Sequence, residues 1–284
     1  MPTIRDREGA DVSAVGPVLY VVATPIGNLE DITLRALRVL READVLFAED
    51  TRHTGQLLSA HGIGRQGRSI SCHEHNENER VALLLSLLAE GETVALCTDA
   101  GTPGISDPGY RLVCAAREAG YPVVPVPGAC AAVAALSASG LPTDRFTFAG
   151  FPPKKPGPRG RWLEGLAEGQ GGTLVLYAAA RDVAEILDDL ASTRADPAVV
   201  VYRELTKHFE ECRRGKASEL AAGWRADPGK GEVVIVADRA PEAELDDEAL
   251  IKLLADASPA DVSAATGISK RRLYQLALTL KPGR

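Results

Sequence analysis

The chain has 284 residues, 45% of them hydrophobic and 25% charged, with a formal net charge of −7. This is the composition of a soluble globular protein long enough for two domains, and its acidity excludes a generally adhesive nucleic-acid binder, so any RNA contact must come from local basic patches. Cys72, Cys97, Cys114, Cys130 and Cys212 show no C-x-x-C spacing and lie mostly in apolar runs. They read as reduced, buried thiols of a cytoplasmic protein, which excludes a disulfide frame or a zinc site. Met1 to Gly16 is polar and mixed in charge, unlike a signal peptide, and no apolar run approaches the roughly 20 residues that span a membrane.

Residues 1–16 read as a disordered lead and residues 17–143 as an N-terminal α/β domain. Val18 to Ala23 is a continuous apolar run, the pattern of a strand covered on both faces. Thr24-Pro25-Ile26-Gly27-Asn28 breaks it. Asp31 or Thr33 can then cap a helix whose Leu34, Leu37, Val39 and Leu40 recur at helical spacing. Val45 to Ala48 is a second strand, ending in the charged cluster Glu49-Asp50-Thr51-Arg52, and a helix to Ala60 follows. Gly62-Ile63-Gly64-Arg65-Gln66-Gly67 matches the dinucleotide pattern G-x-G-x-x-G. It follows a helix and leads into the short run Ser69 to Cys72, the reverse of what a Rossmann turn needs, so it reads as a helix cap and polar loop. In Cys72-His73-Glu74-His75 no third ligand is identifiable beside the two histidines. No metal site is expected there, although His73 is a candidate for an active-site wall. A helix from Glu79 to Glu90 leads to a strand at Thr93 to Cys97.

That strand ends abruptly in Thr98-Asp99-Ala100-Gly101-Thr102-Pro103-Gly104-Ile105-Ser106-Asp107-Pro108-Gly109. Closely spaced glycines let backbone amides approach a ligand, and a helix expected to open at Pro108 adds partial positive charge. Asp99 and Asp107 can accept hydrogen bonds from hydroxyls or an ammonium group. The loop therefore suits a polar, zwitterionic or ribose-bearing small molecule better than a bare polyphosphate; the plainer reading makes Asp107 an N-cap. Tyr110 to Ala119 is helical, Val123 to Val126 is a strand, and Pro127-Gly128-Ala129-Cys130 turns into a small-residue helix ending at Ser139. The repeated order argues an open α/β sheet with a site at the C-terminal ends of its strands.

Gly140-Leu141-Pro142-Thr143 punctuates the chain, and residues 144–240 read as a second α/β domain. Its strands are expected from Phe146 and at Thr173 to Tyr177, Val199 to Tyr202 and Val233 to Ala237, with helices near Arg181 to Leu190 and Ser218 to Trp224. Lys154-Lys155-Pro156-Gly157-Pro158-Arg159-Gly160-Arg161 puts four positive charges on a Pro/Gly loop, and Arg203-Glu204-Leu205-Thr206-Lys207 follows a strand. Residues 241–284 form a helical appendage. Ser258-Pro259-Ala260-Asp261 starts one helix, Gly267 ends it, and Ser269 caps another that carries Lys270, Arg271 and Arg272. The layout resembles a helix-turn-helix; a packing or dimer element is the plainer alternative.

Thr24 to Leu29, Glu49 to Arg52, His73 to Glu77, Asp99 to Pro108, Ser137 to Phe146 and Arg203 to Lys207 together resemble the family of ribosomal RNA small subunit methyltransferase I, in the tetrapyrrole-methylase superfamily. The resemblance runs in order from about Val18 to Val236. It implies two α/β domains with S-adenosylmethionine in the cleft between them, a homodimer, and a 16S rRNA substrate within the assembled or nearly assembled small ribosomal subunit. The implied reaction is 2′-O-methylation of a cytidine ribose in the decoding region, cytidine 1402. Two departures stand out: Ala178-Ala179-Ala180-Arg181-Asp182 where such proteins usually carry Glu-Ser-Pro-His-Arg, and Pro127-Gly128-Ala129-Cys130 where Pro-Gly-Pro-Ser is common.

Cofactor contacts are expected at Pro25, Gly27, Asp99, Ala100, Gly101, Thr102, Gly104, Ile105, Ser106, Asp107, Pro108, Gly128 and Ala129. Methyl transfer needs an in-line acceptor in a site that excludes water, and a ribose hydroxyl gains from a base or a cation nearby. Glu49, Asp50, Arg52, His73, Arg203 and Lys207 are the candidates for that base or cation, and the residues do not rank them. Lys154, Lys155, Arg159, Arg161, Arg203, Lys207, Lys270, Arg271 and Arg272 are the candidates for RNA. A small-molecule, tetrapyrrole-like methylase and an inactive RNA-binding relative are the competing readings, because a fold does not choose a substrate.

Overall fold

The computed structural model describes residues 16–64, 67–73, 75–169, 172–239, 247–266 and 268–279. The expected disordered lead up to residue 15, Glu74 and the helix-ending Gly267 lie outside them. The chain divides into two compact units, Met1–Ala240 and Pro241–Arg284, and the first holds two five-stranded sheets.

In the first sheet β1 (Val18–Val22), β2 (Val45–Ala48), β3 (Arg68–Ser71), β4 (Thr93–Cys97) and β5 (Val123–Val126) are all parallel, in the order β3-β2-β4-β1-β5. They alternate with α1 (Leu34–Glu42), α2 (Thr51–Ala60), α3 (Glu77–Ala89) and α4 (Tyr110–Glu118). Strand side chains alternate between two buried layers. Val18, Tyr20, Leu46 and Ala95 pack with Val39 and Leu40 of α1, whereas Leu19, Phe47, Val94 and Leu96 pack with Leu84 and Leu88 of α3 and Leu112 of α4. Both faces are covered, which is why these strands read as unbroken apolar runs. Thr33 caps α1 by accepting from the Ala36 amide at 3.1 Å, which decides between the two expected caps.

The second sheet has the order β6-β7-β10-β8-β9, built from β6 (Phe146–Phe148), β7 (Thr173–Ala179), β8 (Ala198–Arg203), β9 (Glu211–Lys216) and β10 (Glu232–Ala237). Only β6 and β7 are parallel; the other three pairings are antiparallel. One face, with Leu174, Leu176, Val199, Val201 and Ile235, is covered by α6 (Pro156–Gly169), α7 (Val183–Thr193) and α8 (Ala217–Ala226). The other, with Val175, Val200, Val234 and Val236, is covered by Ala132, Ala135 and Leu136 of α5 (Ala131–Ala138). The helix that follows the last strand of the first sheet therefore packs on the second.

The expected Pro/Gly loop at 154–161 is a helix from Pro156 onward. Proline is tolerated in a first turn, where amides have no intrahelical acceptor, so Pro156 and Pro158 do not break it. β9 was not expected. Its sequence, Glu-Cys-Arg-Arg-Gly-Lys, is that of an edge strand protected by charge, which carries no apolar alternation. The C-terminal unit contains α9 (Asp247–Asp256), α10 (Pro259–Thr266) and α11 (Lys270–Thr279), which bury Leu250, Val262 and Leu273 together. Ser258 accepts from the Asp261 amide at 3.2 Å, closing the expected cap. Cys72 and Cys97 are buried, but Cys114 and Cys130 are half-buried and Cys212 is exposed on β9, correcting the expectation of five buried thiols. Among the described residues no helix is long and apolar enough to cross a membrane, and no cluster of three or more His, Cys, Asp or Glu could hold a metal ion.

Trp224 anchors the second sheet's helical layer. It is 2% exposed, its indole N–H donates to the Ala180 carbonyl at 2.8 Å, and the Arg213 guanidinium lies 4.8 Å from its ring centre. Trp224→Ala should lower stability by about 3–5 kcal/mol. Trp224→Phe keeps most of the packing but leaves the Ala180 carbonyl unpaired, a loss of about 1–3 kcal/mol. Urea unfolding of the two variants should rank them in that order.

Candidate active site

The loops that leave β1 and β4 are joined by backbone pairing beyond the ends of their strands. The Thr24 amide donates to the Gly101 carbonyl (2.9 Å), the Gly101 amide donates to the Thr24 carbonyl (3.1 Å), and the Thr24 hydroxyl donates to the Thr98 carbonyl (3.0 Å). The Thr102 hydroxyl ties in the loop after β5 by donating to the Ala129 carbonyl (3.2 Å). The loop after β2 is attached by two carboxylates: the Asp50 amide donates to Asp99 Oδ1 (3.0 Å), and the Asp99 amide donates to Glu49 Oε2 (3.3 Å). Four strand ends thus converge at the C-terminal edge of a parallel sheet, where open α/β folds place their ligands.

The helix after the central loop does not open at Pro108. Gly109 precedes α4 with φ +131°, a conformation that a side chain would strain. One carboxylate oxygen of Glu77 accepts from the amides of both Gly109 and Arg111 at 3.0 Å. The start of α4 is therefore capped by a buried glutamate and is not an open anion site, nor does Asp107 cap it.

A cavity of about 300 Å³ lies between these loops and the second sheet. Ile26, Glu49, Asp99 to Thr102, Ile105 to Asp107, Cys130 and Ala131 line it from the first half. Phe151, Tyr177, Ala178, Leu205, Lys207 and Glu232 to Val234 line it from the second. Glu49, Asp99, Asp107 and Glu232 thus face a single ammonium, Lys207, whose Nζ donates to Glu204 (3.1 Å) and Glu232 (2.8 Å). Burial, reinforced by the charges of Glu49, Asp99 and Glu232, pushes the Asp107 carboxyl up to about 7. Burial also raises the Tyr177 phenol to about 12. Ser106, Glu204 and Thr206 adopt left-handed backbone conformations (φ 64°, 51° and 68°) at this cleft. Such non-glycine residues are costly and persist only where the surroundings hold them. Gly27 lies so close to the 205–207 turn that a Cβ would sit 2.4 Å from Lys207 Cγ, so only glycine lets the two segments meet.

Of the expected cofactor residues, Asp99, Ala100, Gly101, Thr102, Ile105, Ser106 and Asp107 line the cavity. Pro25, Gly27, Gly104, Pro108, Gly128 and Ala129 are not on its wall. Gly104 and Pro108 close the loop on itself through a 3.1 Å backbone bond, and Gly128 packs against Ala23. Among the six candidates for base or cation, Glu49 and Lys207 reach the cavity. Asp50 caps α2 through the Arg52 amide (2.8 Å) and pairs with the Arg52 side chain, which holds its carboxyl well below the usual range. His73 is half-buried off the wall, its amide donating to Asn76.

Arg159, expected as an RNA contact, is 3% exposed and paired with Glu185 (3.0 Å) and Asp189 of α7, so it cannot meet a phosphate. Lys154, Lys155 and Arg161 are exposed. Arg203 pairs with Glu211 at 2.8 Å. In the C-terminal unit Lys270 and Arg271 are exposed and Arg272 pairs with Asp247 at 3.0 Å. Reading the sequence missed Phe151, Tyr177, Cys130 and Glu232 as wall residues. They sit inside or beside strands and turns far apart in the chain, and only the apposition of the two halves brings them to one wall.

Residues 18–221 match the model of the Tetrapyrrole (Corrin/Porphyrin) Methylases. A relative from Mesorhizobium japonicum is 46% identical over 276 residues, covering 93% of this chain and 92% of its own, and one from Escherichia coli O157:H7 is 44% identical over 272 residues, covering 92% and 94%. Both are named ribosomal RNA small subunit methyltransferase I. Among solved structures, the uroporphyrin-III-C-methyltransferase of Thermus thermophilus superposes with a TM-score of 0.56 at 26% identity, over 78% of this chain and 94% of that one. The chain belongs to the tetrapyrrole methylases and, within them, to the family of ribosomal RNA small subunit methyltransferase I.

Proposed function

We propose that the chain is an S-adenosylmethionine-dependent methyltransferase of small-subunit ribosomal RNA, acting on the 2′-hydroxyl of a cytidine in the decoding region, cytidine 1402. In this reading it works as a homodimer on assembled or nearly assembled subunits. The observation that carries the cofactor assignment is the acid-rich, half-apolar cavity at the strand ends. Four carboxylates against one ammonium favour a ligand bearing sulfonium and ammonium charges and oppose a triphosphate.

The residues present fit such a donor. Asp99 and Asp107 accept from hydroxyl or ammonium groups, and Ile26 and Ile105 supply the apolar surface that an aromatic base needs. Bound there, S-adenosylmethionine supplies an electrophilic methyl group. Glu49 is the carboxylate on the wall that can take the acceptor hydroxyl's proton, and Lys207, fixed by Glu204 and Glu232, opposes charge developing on that oxygen. Lys154, Lys155 and Arg161 give an acidic chain a concentrated basic patch toward RNA.

With labelled S-adenosylmethionine, the purified chain should label reconstituted small subunits at a ribose. Label in neither subunits nor free 16S rRNA, from protein that binds the cofactor, would overturn the ribosomal reading.

Asp107 ties cofactor binding to pH. Its folded value near 7 exceeds the ordinary 3.8, so the free protein loses stability as pH rises from about 4 to about 7. A cationic ligand favours the ionised carboxylate, so affinity for S-adenosylmethionine should rise with pH up to about 7 and then level, with a proton released on binding below 7. Asp107→Asn should stabilise the free protein at neutral pH and flatten the pH dependence of calorimetric affinity. The triple variant Lys154→Ala, Lys155→Ala and Arg161→Ala should leave cofactor affinity unchanged. It should also reduce the slope of log RNA affinity against log salt by about 0.7 for each lost phosphate contact. An unchanged slope would move RNA recognition to Lys270 and Arg271.

A further inference from the structure

We infer that a second cavity beside the donor site is a nucleobase subsite, in which Phe151 stacks on the base of the acceptor nucleotide and Asp182 reads its exocyclic amine. The inference rests on the ribosomal RNA reading and adds where the base sits and how it is recognised. The cavity, about 220 Å³, is lined by Phe151, Lys154, Ala178, Ala179, Arg181 and Asp182 among others. Phe151, Tyr177 and Ala178 also wall the donor cavity, so the two spaces share a partition. A nucleotide with its base on the far side of that partition brings its own ribose to the partition itself, beside the donor.

The chemistry of the lining suits a base. Phe151 is 61% exposed, yet its ring is braced edge-on by Tyr177, with centroids 5.6 Å apart. A braced aromatic with a bare face is a stacking surface for an unstacked base, and stacking of this kind is worth about 1–3 kcal/mol by alanine substitution, a 5- to 150-fold effect. The alanines at 178 and 179 leave the space open. Lys154 and Arg181 stand exposed at the rim, where phosphates of a strand entering the cavity would pass. Asp182 is the carboxylate on the wall, its Oδ1 3.7 Å from Nε of the solvent-exposed Arg181 guanidinium. An ionised carboxylate only accepts hydrogen bonds, so it favours the N4 amine of cytosine and disfavours the O4 of uracil. A duplex cannot present a base to such a cavity, so the acceptor must be single-stranded or extruded.

The test uses reconstituted small subunits carrying cytidine or uridine at the nucleotide the wild type methylates, with Asp182→Asn and Phe151→Leu as variants. The Asp182 side chain makes no capping bond to α7, and asparagine keeps its shape while replacing one acceptor oxygen with a donor amide. Wild type should prefer cytidine by about tenfold or more in kcat/KM, and Asp182→Asn should bring the two substrates close to parity. Phe151→Leu should raise KM for both, within the 5- to 150-fold range of a lost stacking contact. Calorimetric affinity of Asp182→Asn for S-adenosylmethionine should stay within twofold of wild type, since Asp182 does not line the donor cavity. Full cytidine preference in Asp182→Asn together with an unchanged KM in Phe151→Leu, from an active wild type, would overturn the subsite alone. A wild type that binds the cofactor but labels neither substrate fails the ribosomal reading, and the subsite falls with it.

Discussion

The reciprocal pairing of Thr24 with Gly101 is the contact on which the site depends. Two backbone hydrogen bonds form an isolated antiparallel bridge between the loops that leave the parallel strands β1 and β4, and the Thr24 hydroxyl adds a third bond to the same loop. Backbone groups that would otherwise need water at a strand end are satisfied by each other. That leaves the rest of the 98–109 loop free to curve over the sheet edge. Asp99 then joins the loop after β2, and Thr102 joins the loop after β5. The bridge and these two tethers together tie the four loops that carry the first-half residues of the cavity.

Electrostatics follows from that geometry. Bringing Glu49, Asp99 and Asp107 to one edge, and adding Glu232 from the opposite sheet, concentrates negative charge where water is partly excluded. The free protein tolerates this by holding Asp107 near its titration point, and a cationic ligand relieves the repulsion. The molecule separates its charges in space: the cavity is acidic, and Lys154, Lys155 and Arg161 form a small exposed basic patch. Arg159 shows that proximity in sequence is not membership of the patch. It turns inward and pairs with two carboxylates of α7, so that removing both would leave a buried charge uncompensated.

The two sheets are joined by α5. Its alanines and Leu136 lie against Val175, Val200, Val234 and Val236, so the helix that ends the parallel half forms one wall of the antiparallel half. The Gly27 approach to Lys207 and the left-handed residues at 204 and 206 complete the closure on the cavity side. With apolar packing on one side and close backbone contact on the other, the opposed walls of the cavity hold their spacing.

Sequence by itself determined the parallel half and its loop. Continuous apolar runs at 18–22, 45–48 and 93–97 announce strands covered on both faces, the apolar run at 123–126 announces another strand, and glycine, proline and aspartate from Asp99 to Asp107 announce a long turn at a strand end. Family membership was legible for the same reason, since its motifs are local. Tertiary structure alone decided the rest. An apolar run buried on both faces reads alike in either direction, so the antiparallel order of β7, β8 and β10 left no mark in the sequence. The start of α4 is satisfied by Glu77, more than 30 residues away in the chain, so no local pattern could show that its amides are already occupied. Phe151, Tyr177 and Glu232 became wall residues only when the second sheet closed on the first, because a site between two sheets is specified by long-range contacts and not by spacing along the chain.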